Sequence, residues 1–240
     1  GTDSGALDDQ FVAQLQREAE DKGWLFEVRA AEDVRDLRLN NLTGDREEVL
    51  PTAPPDKGLD VKVSKNLPSS FDWRDQVAGG LTEVKYQGEC GGCWSFATNG
   101  VVESLIKIVD GLDVDLSEQY LISTNTDVIS GAQTWGCMGG SRAFHYYLDT
   151  PTSCGEIGAT LENDFPYVGA DVPEECPIPM YQITNWGYLK DRVPPVDELK
   201  QTIFDHGPVY VSVETTEKWK TYNGGVFFEY TGKDTTNHGV

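Results

Sequence analysis

Positive charge is scarce in this chain. Its 240 residues carry 19 Lys and Arg against 40 Asp and Glu, a net charge of −21. Such a field repels phosphate backbones and anionic lipid, so neither nucleic acid nor a membrane is an expected partner. Long apolar runs are also missing: no stretch approaches the roughly 18 to 20 residues that span a bilayer. Residues 1–10, GTDSGALDDQ, lack the basic start and apolar centre of a secretory signal. Histidine is confined to His145, His206 and His238. With no second CxxC and no HxxxH, no metal site and no cofactor are expected. Five cysteines are too few for a small disulfide-stapled scaffold, and the odd count suggests two bridges and one leftover thiol. Cys90 and Cys93 sit close together, while Cys137, Cys154 and Cys176 lie well apart in Gly- and Pro-bearing loops, a spacing that favours an oxidising compartment.

What is present suffices for one large core or two small ones, with 38% hydrophobic and 10% aromatic residues. Residues 8–22, DDQFVAQLQREAEDK, set Phe11, Val12 and Leu15 at helical spacing. A Trp24 and Phe26 anchor follows, then a polar helix pattern across AAEDVRDLRL and an extended Pro-bearing connector from Asn40 to Asn66. By texture, residues 1–66 are either a small helical subdomain or a separable segment. Beyond them the sequence predicts a buried helix from Cys93 to about Val109 led by Gly91 and Gly92, and a short helix in LSEQYLIS capped by Ser117. A further helical turn or two is expected within Ser141 to Leu148, and a helix from Val196 ending at Gly207. PVYVSVE alternates, and VFFEY follows a Gly-Gly turn, so both read as antiparallel strands. Helices before strands suggest an α+β fold with two lobes.

A thiol becomes nucleophilic when its pKa falls, and a helix N-terminus beside an imidazolium lowers it. Cys93, directly after two glycines at the start of a helix, is placed for this. His145, among aromatics, and His206, at a helix end, read as structural, which leaves His238 in TTNHGV as the base.

QGECGGCWSFA, from Gln87 to Ala97, resembles the nucleophile motif of papain-like cysteine peptidases. FDWRD, LSEQYL, GCMGG, FPYVG, GPVYVSV, YNGGVF and NHGV follow in that family's order, and Cys93 to His238 spans 145 residues, within the ~130 to 150 between nucleophile and base. The resemblance covers about residues 67–240. It implies a two-lobe papain-like fold, a helical lobe and an antiparallel β lobe with the active site in the cleft between, acting as a cysteine endopeptidase. Cys93 would be the nucleophile, paired as a thiolate with His238. Gln87 and the Cys93 backbone N–H would hold the oxyanion. Gly139 and Gly140 would let substrate lie extended as an added strand, and Trp94 would pack behind the nucleophile. It also implies a Cys90–Cys137 bridge. Thr124 stands where relatives carry a bridging cysteine, which leaves Cys154 as the partner of Cys176.

Residues 1–66 then read as an inhibitory propeptide threaded backwards through the cleft, with residues 24–44 similar to the short cathepsin B-like form. Peptide and protein substrates, this propeptide in cis and protein inhibitors of cysteine peptidases are the partners implied, for a monomer in a secreted or lysosomal/vacuolar, acidic setting. Residues 67–240 would lack the closing strands of the second lobe and the Asn that orients the base, a role not given to Asn237. Asn41 heads an N-x-T sequon. Ser141, Arg142 and Gly239 would line the pocket for the side chain two residues before the cleaved bond. There Arg142 either turns inward to pair with an acidic side chain or faces solvent and leaves an apolar pocket. Two other classes stay open: a catalytically silent papain-like binding protein, and a CxxC redox or metal protein built on Cys90 and Cys93.

Overall fold

The computed structural model describes residues 7–30, 35–46, 58–64, 66–131, 133–189, 193–233 and 235–240. Helix α1 (Asp9–Lys22) starts where the Asp8 side chain accepts from the Gln10 N–H and stops at Gly23, whose left-handed backbone (φ 61°) bonds back to Ala19 and Glu20. It buries Val12 and Leu15. Strand β1 (Phe26–Val28) and the short α2 (Leu39–Leu42) follow. The helix expected across AAEDVRDLRL falls partly on residues 31–34, outside the described residues, as does much of the 40–66 connector. The connector's far end is not featureless: β2 (Gly58–Leu59) pairs in parallel with β5 (Tyr188–Leu189).

The short α3 (Trp73–Gln76) precedes the central helix α4 (Cys93–Asp110), which begins at Gly92 and ends at a left-handed Gly111. Next comes α5 (Glu118–Thr124), whose Ser117 cap accepts from the Tyr120 N–H. These two helices, the β3–β4 pair (Val128–Ser130 and Gln133–Thr134) and α6 (His145–Leu148) enclose the main core, in which Trp94, Leu116, Leu121, Trp135, Tyr146 and Tyr147 are almost wholly buried. Burying aromatic and aliphatic side chains of this size yields about 1.5 to 3 kcal/mol each. Cys90–Cys137 ties the loop before α4 to the Gly136–Gly139 turn, and Cys154–Cys176 closes a second loop.

The second lobe carries α7 (Val196–His206) and short strands. Strand β6 (Ser212–Val213) pairs antiparallel with β8 (His238–Gly239), and reciprocal Val211 and Val240 backbone bonds lengthen the ladder. The strand expected in VFFEY is displaced. The strand here is β7 (Tyr222–Gly225), which takes in the glycines read as a turn, and its antiparallel partner is β1 of the N-terminal segment. Gly225 permits this closeness: at φ 90°, a Cβ there would stand 2.2 Å from the Leu25 carbonyl oxygen. Trp24 stacks on Phe26 at 5.0 Å with the Lys218 ammonium 4.6 Å from the Trp24 ring centre, and Phe26 meets Phe227 at 4.8 Å. Buried Lys220 donates to the Leu37 carbonyl at 2.6 Å. The Trp24–Phe26 anchor therefore holds the N-terminal segment to the second lobe. No helix among the described residues is long and apolar enough to cross a membrane.

Candidate active site

Cys93 opens α4, and Gly239 of β8 reaches across from the second lobe to donate its N–H to Cys93 Sγ at 3.4 Å. Cys93 is the one free cysteine, since the other four are bridged. With Cys90 bound to Cys137, Cys90 and Cys93 do not form a redox couple. Among the described residues, no group of three His, Cys, Asp or Glu is arranged to hold a metal.

Leaving α2, the chain's own residues 43–46 lie extended over this site. The Gly140 N–H donates to the Gly44 carbonyl at 2.8 Å, and the Arg46 N–H donates to the Gly140 carbonyl at 2.7 Å, making a parallel bridge centred on Asp45 and Gly140. On the opposite wall the Asp45 N–H donates to the Asn237 carbonyl at 3.1 Å. Gln87 Nε2 donates to the Leu42 carbonyl at 3.1 Å and to that of Cys90 at 3.0 Å. Gln87, expected to hold a substrate oxyanion, thus meets a carbonyl of the segment. Gly44 fits because it has no side chain: a Cβ would stand 1.7 Å from the Gly91 carbonyl oxygen.

Burial pushes the Cys93 thiol up to about 11, against the lowering effect of the Gly239 N–H, and the Asp45 charge adds to the rise. Burial likewise lowers His238. Desolvation outweighs the helix N-terminus here because the segment excludes water from both groups. His238 Nδ1 is buried without a hydrogen-bond partner. Asn237 does not serve it: its side chain accepts from the Thr215 N–H and hydroxyl and donates to the Thr215 carbonyl.

Gly139 and Gly140 form the strand-binding edge. Trp94 lies fully buried beneath it, donating to the Gly136 carbonyl at 3.1 Å, and a Cβ at Gly140 would stand 2.7 Å from its ring. Trp94 thus supports the edge from behind. Ser141 is fully buried, Arg142 half-buried, and a Cβ at Gly239 would stand 2.5 Å from the Tyr210 hydroxyl. His145 bonds Asp127 at 2.8 Å inside the first lobe, in keeping with a structural part. Sequence reasoning passed over Leu42, Gly44, Asp45 and Tyr210. The period-2 pattern of GPVYVSV could have marked Tyr210 as facing the cleft, but nothing in LTGD marks a strand that pairs with residues some 90 positions away. Arg35 pairs with Asp9 of its own segment.

Residues 67–240 match the Papain family cysteine protease description, and the chain belongs to that family. Among its relatives, the probable cysteine protease RD19B of Arabidopsis thaliana is 34% identical over 189 residues, covering 75% of this chain and 49% of the relative. Cathepsin S of Rattus norvegicus is 35% identical over 191 residues, covering 75% and 53%. The chain thus spans about half the length of these curated relatives. The solved structure of digestive procathepsin L2 proteinase from Tenebrio molitor larval midgut superimposes with a TM-score of 0.74 at 25% identity, covering 94% of this chain and 72% of that one. This coverage reaches well into the residues before 67.

Proposed function

We propose that the protein is the zymogen of a cysteine endopeptidase, with residues 1–66 as its inhibitory propeptide and residues 67–240 belonging to the peptidase. The observation that carries this reading is that residues 43–46 lie extended in the cleft, bridged through Asp45 to Gly140, while Gln87 donates to the Leu42 carbonyl just before them, beside the single free thiol. A substrate would lie extended along Gly140 in the place of that strand. Once the segment leaves, water returns to Cys93. The α4 N-terminus then favours the thiolate and His238 takes the proton. The sulfur attacks the peptide carbonyl, and the oxygen that becomes negative accepts from Gln87 Nε2 and the Cys93 N–H. His238 gives its proton to the departing amine, and water, deprotonated by the same ring, releases the acyl group from sulfur. Protein inhibitors of cysteine peptidases would compete for the same edge. The two disulfides support an oxidising compartment, secreted or lysosomal/vacuolar.

Replacing Cys93 by Ala should abolish cleavage of a fluorogenic peptide, and an epoxysuccinyl reagent should label only Cys93 in the full chain. Label found chiefly on another residue, or cleavage persisting in Cys93→Ala, would overturn this reading.

A further inference from the structure

The side chain that the bound strand sends into the body of the protein is that of Asp45. It is 2% exposed, and the Tyr210 hydroxyl donates to its Oδ1 at 2.9 Å. Three features make the receiving pocket polar. Tyr210 is itself held in place, its ring edge-on to Phe144 with centroids 6.4 Å apart. Gly239 leaves the space that the hydroxyl fills, since a Cβ there would stand 2.5 Å from it. The Arg142 guanidinium exerts its charge on the same hydroxyl, opposing the rise that burial and Asp45 impose on it. We infer that the pocket formed by Tyr210, Arg142 and Gly239 selects peptides bearing an Asp or Glu side chain at the position where Asp45 now lies.

This rests on the reading of the chain as a peptidase and adds its substrate class. A Leu or Phe in the same place leaves the Tyr210 hydroxyl buried without the acceptor it now has. A site built to hydrogen-bond a substrate group discriminates strongly against analogues lacking it. The segment supports the inference with its own sequence: a carboxylate, costly to bury unpaired, occupies this pocket in a chain that carries Leu39 and Leu42 close by.

The test uses the full chain at acid pH with three peptidyl epoxysuccinyl reagents that differ only in Asp, Asn or Leu at this position, following the rate of Cys93 alkylation by mass spectrometry. The Asp reagent should react at least about tenfold faster than the Leu reagent. Tyr210→Phe and Arg142→Gln should each bring that ratio towards one while labelling still maps to Cys93. A Leu reagent faster than the Asp reagent in the wild type overturns the acidic pocket and leaves the peptidase reading standing, as does an Asp preference unchanged in both variants. Absence of Cys93 labelling by all three, both in the wild type and in Gly44→Ala, whose added Cβ cannot fit beside Gly91 and so uncovers the thiol, overturns both.

Discussion

Gly44 is where the smallest change should have the largest effect on the covered site. Adding one methyl group places a carbon 1.7 Å from the Gly91 carbonyl oxygen, 2.5 Å from its carbon and 2.9 Å from its Cα, all backbone atoms with no rotamer to yield. The strand must therefore lift in Gly44→Ala. Lifting it breaks the two bonds to Gly140, the Asp45 bond to Asn237 and the Gln87 bond to Leu42. At about 1 kcal/mol net for each, the docked state loses about 4 kcal/mol, a shift of about a thousandfold towards the open form. Cys93 reacts only when uncovered, so its iodoacetamide labelling rate at neutral pH reports the open population. Gly44→Ala should be labelled at least about a hundredfold faster than wild type, allowing for partial redocking. Gly100→Ala, in α4 with open space around it, serves as control and should label at the wild-type rate. Equal, slow labelling in Gly44→Ala and wild type would refute the argument that this strand covers the thiol.

The remaining predictions concern anchoring, pH and covalent ties. Gly225→Ala drives a methyl into the Leu25 carbonyl, so residues 24–28 should detach from β7 and become open to limited proteolysis, with the α4–α5 core unchanged by circular dichroism. Glu118, bonded to Lys85 at 2.9 Å, is pushed by burial from 4.5 up to about 8. A carboxyl raised in the folded state contributes stability that is complete below pH 4.5 and lost as pH climbs towards 8. The Tm of wild type should therefore fall, relative to Glu118→Gln, between those limits, and parallel pH profiles would contradict this. Replacing Cys154 and Cys176 together by Ala should cost about 3 kcal/mol in denaturant unfolding, as expected for opening a loop of this length.

The elements whose signals are local were legible in the sequence. Asp8 and Gly23 bracket α1, Ser117 caps α5 and Gly207 ends α7 because capping is settled within one turn of chain. The order of motifs around Cys93 and His238 likewise carried the family resemblance, which the match of residues 67–240 bears out. Tertiary structure decided what lies between Cys93 and His238. The carbonyl of Leu42, the missing side chain of Gly44 and the carboxylate of Asp45 act through partners at Gln87, Gly91, Gly140 and Tyr210, and such pairings have no periodicity to read. The same holds for β7: Gly224 and Gly225 have the local signature of a turn, yet β1 arrives to make them a strand. Protonation was decided there too. A helix N-terminus predicts a lowered thiol, but burial under another part of the chain raises Cys93, because removing water acts on the charged form more strongly than a few backbone dipoles do.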